Sequence, residues 1–126
     1  MVQAAADTKA IIATVMNYFE GWFDGDATRM ERALHPNLNE RRVSADVPGS
    51  MLSNPSTAAQ MIRWTLEGEG KALRVADLAI KVRVDDIYKN IATVTVYCAV
   101  DVEYLQLMRT HLGWKIVNAL WMDHKK

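Results

Sequence analysis

The feature that most constrains this chain is a change in the spacing of its apolar residues at Gly70. Before this glycine, apolar residues recur every three or four positions, as they do on one face of a helix. After it, apolar and polar residues alternate, as they do in strands that bury one face of a sheet. Helices followed by a run of strands predict an α+β domain and argue against a parallel α/β fold.

Three helices are predicted from residues that cap helices and residues that end them. Serine-like and acidic side chains can accept hydrogen bonds from free N–H groups at a helix start, and glycine or proline marks the end. The helices are predicted from Asp7 or Thr8 to Gly25, from Asp26 to Pro36, and from Asn54–Pro55 to Gly68. Residues 1–6 are expected to form a flexible N-terminus, and residues 39–45 a short strand.

The second half of the chain is predicted to form an antiparallel meander. Alternation runs over residues 78–85, over a very long stretch from Ile91 to Arg109, and over residues 114–121. Because strands are usually about 5–6 residues long, the long stretch is expected to bulge or bend near Asp101, where its alternation breaks. We therefore expect three helices packed in the concave face of a strongly bent antiparallel sheet.

Size and charge favour a single soluble domain over residues 1–126. Half of the residues are hydrophobic, and 15 basic residues balance 15 acidic ones. A neutral chain lacks the clustered positive charge that nucleic acids or anionic membranes attract, so neither partner is expected. A single cysteine, Cys98, excludes an internal disulfide, and the N-terminus lacks a signal-peptide pattern. A cytoplasmic location is expected.

Several strings, in order along the chain, give a family resemblance. They are Tyr18–Trp22 with Gly25–Asp26, Ala33–Pro36, Asn90–Val94, Glu103–Leu107 and Trp114–Asn118. Together they resemble the nuclear transport factor 2-like superfamily, whose fold is also called the cystatin-like cone, and within it the putative lumazine-binding family. The resemblance implies a sheet curled around the long helix, a ligand pocket at the mouth of the cone, and a homodimer paired through the outer sheet face.

The aromatic side chains provide the candidate ligand site. Together with a few polar side chains they could line a cleft for a small, flat or apolar organic ligand. The candidates for this site are Tyr18, Trp22, His35, Arg42, Met61, Trp64, Tyr97 and Asn118. The alternative is that many of these rings serve core packing and a dimer interface.

Acid–base chemistry is a second hypothesis, which rests on the resemblance. In the isomerases of the superfamily, a carboxylate in the first strand removes a proton from carbon, while a tyrosine and a protonated acid stabilise the enolate oxygen. Here an arginine falls close to the expected position of that carboxylate, and Glu40 lies one or two residues away. His35 or Glu40 remains the candidate acid or base of an isomerase-like or polyketide cyclase-like enzyme. Arg42 could instead bind an anionic ligand, or be paired on the surface.

No metal, cofactor or nucleotide site is expected. The three histidines, His35, His111 and His124, form no paired motif, and no phosphate-binding or serine-hydrolase string occurs. Cys98 lies in an apolar strand, where a cysteine behaves as a small hydrophobic residue. A third hypothesis is therefore a non-catalytic dimerisation module that uses Thr93, Thr95 and Tyr97 on the outer sheet face.

Overall fold

The computed structural model describes residues 2–44 and 51–124. It contains four helices and six strands. The helices are α1 (Val2–Asp24), α2 (Ala27–Ala33), α3 (Ala58–Leu66) and α4 (Glu69–Leu73). The strands are β1 (Leu34–Ser44), β2 (Met51–Leu52), β3 (Lys81–Tyr88), β4 (Ile91–Tyr97), β5 (Asp101–Thr110) and β6 (Gly113–Asp123).

All six strands form one sheet in the order β2-β1-β6-β5-β4-β3. Neighbouring strands are antiparallel except β1 and β6, which run parallel. The helices pack on one face of this curved sheet, with α1 against β3 and β6 and α3 against β1. The predicted α+β fold is confirmed, with two additions: a fourth short helix, and one parallel strand pair in a sheet that was expected to be wholly antiparallel.

The first helix begins earlier than the sequence predicts. It starts at Val2, so residues 2–6 form helical turns where a flexible segment was expected. Asp7, predicted to cap the helix, instead lies buried inside it and accepts hydrogen bonds from Arg109 and Gln3, both at 2.8 Å. The hydrogen bond from Arg109 lowers the pKa of Asp7. This ion pair ties the first turns of α1 to the sheet.

The second helix follows its predicted cap, but the third does not. Asp26 accepts the N–H of Arg29 at 3.1 Å, as expected for the start of α2. The start of α3 lies at Thr57, whose side chain forms a capping box with Gln60, and not at Asn54. Ser56 exchanges two backbone hydrogen bonds with Glu40, which holds the segment before Thr57 extended beside β1.

The long alternating stretch is two strands, not one bent strand. β4 ends at Tyr97, the chain reverses through residues 98–100, and β5 begins at Asp101. The backbone N–H of Cys98 donates to the carbonyl of Asp101 at 3.0 Å and closes this hairpin. The expected bulge near Asp101 is therefore wrong; the register instead shifts between Val84 and Asp86 and between Gln106 and Leu107.

Several of the most completely buried side chains lie on α1 and on the paired parts of β5 and β6 that are farther from the turn at residues 98–100. We call this the closed end of the sheet, defined by Ile11, Val15, Leu105, Leu107 and Ile116, all of them no more than 1% exposed. At the opposite end of the same two strands, which we call the open end, Asp101 and Glu103 of β5 face Trp121 and Asp123 of β6.

A close approach between two helices positions the mouth of this open end. A Cβ atom added to Gly70 in α4 would overlap the carbonyl of Trp22 in α1. Glycine is required there because only its bare backbone lets α4 lie against α1. Among the described residues, no helix is long and apolar enough to cross a membrane.

Candidate functional site

A cavity of about 470 Å³ lies between the helices and the open end of the sheet. Its walls come from α1, β1, α3, α4 and the adjoining ends of β5 and β6. Such a volume is in the range of pockets that enclose small organic ligands. Aromatic rings form much of the wall: Tyr18, Phe19, Trp22, Phe23, Trp64 and Trp121.

Strand β1 supplies two charged side chains to this cavity. Residues two apart in a strand point to the same face, and both Glu40 and Arg42 line the cavity. Arg41, between them, lies on the outer face of the sheet. The sequence left open whether Glu40 or Arg42 faces inward, and the structure shows that both do.

Five of the eight candidate ligand-site residues line the cavity. α1 brings Tyr18 and Trp22 together one turn apart, and α3 presents the other ring and a thioether. The five are Tyr18, Trp22, Arg42, Met61 and Trp64.

The structure does not bring the other three candidates to the cavity. Tyr97 and Asn118 lie on the outer face of the sheet, where Arg83 stacks over Tyr97 and Asn118 donates to Gln106 at 2.9 Å. His35 is half-buried at the start of β1, and its Nδ1 accepts the backbone N–H of Asn37 at 3.0 Å. The cavity is therefore built without the histidine that the sequence offered as an acid or base.

A buried tyrosine–carboxyl pair lies in the cavity wall. The Tyr18 hydroxyl donates to Oε1 of Glu103 at 2.9 Å, and both residues are at most 5% exposed. Burial raises the pKa of Glu103 well above its usual range, and the nearby Asp101 and Glu40 carboxylates raise it further. Burial, with Glu103 and Glu40 nearby, likewise raises the pKa of Tyr18. Both groups therefore favour their neutral, protonated forms at neutral pH.

Asp101 lies beside this pair at the start of β5. Burial raises its pKa, while hydrogen bonds with Cys98 and Glu103 act in the opposite direction. The thiol of Cys98 donates to Oδ1 of Asp101 at 3.2 Å. Burial raises the pKa of Cys98 to about 11, so this cysteine stays a thiol at neutral pH and is not an activated nucleophile.

Glu40 approaches the same space from β1. It is only 7% exposed, and burial raises its pKa. Trp121 and Ser56 are close enough to lower that pKa partly, yet the indole Nε1 of Trp121 is buried without a hydrogen-bond partner. The Glu40 carboxyl and the Trp121 indole thus lie close to each other in the cavity wall.

The rim of the cavity carries an ion pair. Nη2 of Arg42 lies 2.8 Å from Oδ2 of Asp123, and its guanidinium lies 5.6 Å from the centre of the Trp121 ring. Both charged side chains are about two-thirds buried. Arg42 therefore faces inward, as the prediction of a ligand-site residue requires. It is also part of an ion pair, as the alternative prediction stated.

The acidic side chains of the open end were missed by the sequence analysis. Asp101 and Glu103 share a strand face with Leu105 and Leu107, so the alternation itself places two acids on the buried side of β5. The alternation of β5 was not recognised as that of a separate strand, because the reversal at Cys98 was interpreted as a break within one long strand. Asp123 follows from the same alternation on β6, two residues after Trp121.

Metal binding finds no support in this cluster. Within residues 2–44 and 51–124, no group of three or more histidine, cysteine or acidic side chains is arranged to hold a metal ion. The chemistry open to the site is hydrogen bonding, ion pairing and proton transfer by buried carboxyl groups.

Solved structures with the same fold support this architecture across almost the whole chain. A nuclear transport factor 2-like protein of unknown function from Methylobacillus flagellatus has a TM-score of 0.71 and 18% identity, with 95% of this chain and 94% of that chain covered. One from Shewanella baltica has a TM-score of 0.69 and 16% identity, with 97% of each chain covered. One with a cystatin-like fold from Novosphingobium aromaticivorans has a TM-score of 0.63 and 14% identity, with 98% and 86% covered.

Sequence comparison identifies the family. No curated protein matches the chain. The family model described as putative lumazine-binding matches residues 6–122, which include all the residues that line the cavity except Asp123. The chain therefore belongs to the putative lumazine-binding family, within the nuclear transport factor 2-like, cystatin-like fold.

Proposed function

We propose that the protein binds a small, flat organic molecule in the cavity at the open end of the sheet. The observation that carries this proposal is the composition of the wall, in which three indole rings surround buried carboxyl and hydroxyl groups. Flat rings gain contact area and stacking energy against indole faces, and a few buried polar groups fix their orientation. The family description supports the same reading, because lumazine is a flat bicyclic heterocycle with hydrogen-bonding edges.

The cavity is suited to such an edge because it offers both donors and acceptors. Neutral Glu103 and Tyr18 each carry an O–H, the Trp121 indole carries a free N–H, and the carboxyl oxygens accept. A heterocycle with alternating N–H and carbonyl groups has the edge to hydrogen-bond with these groups, and it would give the unpaired N–H of Trp121 a partner.

A thermal-shift and calorimetric titration tests the proposal. Lumazine and related uncharged bicyclic heterocycles are expected to raise the melting temperature, since a ligand at 100 times its Kd stabilises a protein by about 2.7 kcal/mol. Trp64→Leu should weaken binding about tenfold, because it removes a cavity wall. Tyr88→Leu is the matched control, since Tyr88 is 62% exposed and lies on the far hairpin. If no flat heterocycle binds, or if both variants weaken binding equally, the proposal is wrong.

A second candidate function is proton transfer at carbon, with Glu40 as the base. The observation that favours it is that Glu40 lines the cavity that Tyr18 and Glu103 also line, which matches the tyrosine, protonated acid and carboxylate base of the superfamily's isomerases. The ionised Glu40 would remove a proton next to a carbonyl group, and the O–H of neutral Glu103 would stabilise the enolate oxygen.

Proton exchange measured by NMR in D₂O tests this second function. With 2-tetralone as a probe, the wild type should accelerate loss of the α-proton signals, and Glu40→Gln should slow it roughly 100-fold or more. Because burial raises the pKa of Glu40, the rate should increase as pH rises through that pKa. His35→Gln is the control and should leave the rate unchanged, because His35 lies outside the cavity. Equal rates with and without protein would contradict this function.

A further inference from the structure

The charges around the cavity are unbalanced. Three acidic side chains lie deep in its wall, Glu40 on β1 and Asp101 and Glu103 on β5, each no more than 8% exposed. The only ion pair recorded at the cavity in the described part of the chain joins Arg42 to Asp123 at the rim. The arginine is thus already neutralised, and none of the three deep acids has a basic partner among the ion pairs of residues 2–44 and 51–124.

Glu40 is a separate indication that a ligand completes this site. Its side chain is more than nine-tenths buried and lines the cavity, and its neighbours Trp121 and Ser56 offer it neutral hydrogen-bonding groups but no positive charge. A buried carboxyl without a basic partner is rare in proteins, and it is often part of a site that a ligand fills.

The aromatic rings of the cavity wall also favour a positively charged ligand. The faces of indole rings carry negative charge density and attract cations that lie within about 6 Å of the ring centre. One such contact already exists, since the Arg42 guanidinium lies 5.6 Å from the centre of the Trp121 ring. Trp22 and Trp64 offer their rings to the same cavity.

We propose that the ligand is a planar organic cation, a protonated aromatic amine or amidine, whose positive nitrogen contacts Glu40 and Asp101 while its ring packs against Trp22 and Trp64. This inference rests on the proposed ligand-binding function and specifies the chemical class of the ligand. It also gives the cavity a preference against anions, since Arg42, the one basic residue that lines it within residues 2–44 and 51–124, is already paired with Asp123.

Binding of a cation should be linked to proton release. Groups on every surrounding element take part in this electrostatic environment: Tyr18 on α1, Glu40 and Arg42 on β1, Glu69 on α4, Cys98 and His124 near Asp101, Asp101 and Glu103 on β5, and Asp123 on β6. Burial raises the pKa values of Glu40 and Asp101, so part of each is protonated at mildly acidic pH. A cation favours the ionised carboxylates, and its affinity should therefore increase as pH rises through these raised pKa values.

Three bicyclic probes of similar size and different charge test this inference by calorimetry at pH 7.5. 4-Aminoquinoline is a cation, quinoline is neutral and 2-naphthoate is an anion. We expect the cation to bind at least about tenfold more tightly than quinoline, because an ion pair formed in a partly dry site adds more than a neutral contact. We expect 2-naphthoate to bind most weakly of the three.

Matched variants assign the effect to the acids. Glu40→Gln should weaken binding of 4-aminoquinoline about tenfold, reduce the rise of its affinity with pH, and leave the affinity for quinoline within about twofold. Asp101→Asn serves as a second, independent variant, and a thermal melt of each checks that it is folded. Glu67→Gln is the control, because Glu67 is exposed and does not line the cavity.

Each outcome decides between the two proposals. If quinoline or 2-naphthoate binds as tightly as the cation, the inference about charge is wrong while the ligand-binding function stands. If the cation is preferred but both Glu40→Gln and Asp101→Asn retain that preference, its assignment to these acids is overturned. If no flat probe binds, including lumazine, both proposals fail.

Discussion

The two ends of strands β5 and β6 have opposite arrangements of polarity. At the closed end, Leu105, Leu107 and Ile116 face the helices and are almost wholly buried. At the open end, the inward positions of β5 hold Asp101 and Glu103, while Tyr104, on the outer face, is 57% exposed. The inward positions of the same two strands are thus apolar at the closed end, as folding requires, and acidic at the open end.

This difference separates what stabilises the fold from what the cavity requires. Burial of a branched apolar side chain contributes about 1.5–3 kcal/mol, whereas a buried carboxyl without a basic partner reduces stability. The buried acids of the open end reduce stability, so the protein stays folded only if the closed end supplies enough stability to offset that loss. The open end is therefore the part of the molecule where we propose that a ligand binds.

Leu105→Ala should have the largest effect on stability, because Leu105 is completely buried at the closed end. We expect a loss of about 2–5 kcal/mol, from the lost burial and the space that remains. Urea denaturation followed by circular dichroism measures it. A loss below about 1 kcal/mol would show that the closed end does not carry the stability that this comparison assigns to it.

The outer face at the open end gives the next prediction. It exposes Tyr97, Tyr104 and Leu120, and we propose that a second copy of the chain covers it as a homodimer. Tyr104→Arg should then weaken the dimer at least tenfold, or about 1.4 kcal/mol, by placing a charge in the interface. Leu112→Arg, 73% exposed in the β5–β6 turn, is the control. Light scattering at micromolar concentration decides, and a monomeric wild type would contradict the proposal.

The pH dependence of the free energy of unfolding should reveal the buried acids of the open end directly. A carboxyl with a raised folded-state pKa binds its proton more tightly when folded, so its contribution is largest at low pH and declines as pH rises through that pKa. The wild type should therefore lose stability as pH rises from the usual carboxyl range through the raised pKa of Glu103, by about 1.4 kcal/mol for each pH unit between its unfolded and folded pKa values.

Glu103→Gln is the variant that tests this pH dependence. It should flatten the curve and be at least as stable as the wild type at pH 8, because it removes a buried charge and keeps a hydrogen-bonding partner for Tyr18. Asp7 does not interfere, since its pKa is lowered and its contribution is lost only at more acidic pH. Parallel curves for wild type and variant would show that Glu103 does not titrate in this range.

Arg42→Gln should have the smallest effect. The ion pair with Asp123 lies at the rim, and its side chains keep 35% and 30% of their exposure, so water screens the attraction. We expect a stability change below about 1 kcal/mol. A larger loss, measured by the same urea titration, would mean that the rim contributes to the fold as strongly as the closed end does.

The sequence predicts the fold better than it predicts the site. Apolar spacing identifies the helices and strands, because periodicity reports directly which face of an element is buried. It misplaces the start of α1, since the ion pair between Asp7 and Arg109 joins residues on different elements and leaves no local signal.

The candidate site is predicted on the helices and, through Glu40 and Arg42, on β1, but not on β5 and β6. Tyr18, Trp22, Met61 and Trp64 follow from helical spacing, and all of them line the cavity. The inward placement of the acids of β5 does not follow from local spacing. It depends on the reversal at Cys98, which determines which face of the following strand is buried. Tyr97 was placed in the site because of its aromatic ring, but it does not line the cavity; the dimerisation hypothesis had placed it on the outer sheet face.

The parallel pairing of β1 with β6 has a consequence for how the protein is made. Glu40 pairs with Ala119, and Arg42 pairs with Trp121, so the cavity is closed by segments that leave the ribosome at very different times. Until β6 has been synthesised, Glu40 has no neighbouring strand on that side, and the aromatic stripe of α1 lacks part of its cover. Long-range pairings of this kind form late and slowly, so the nascent chain should depend on chaperones until its last strand is in place.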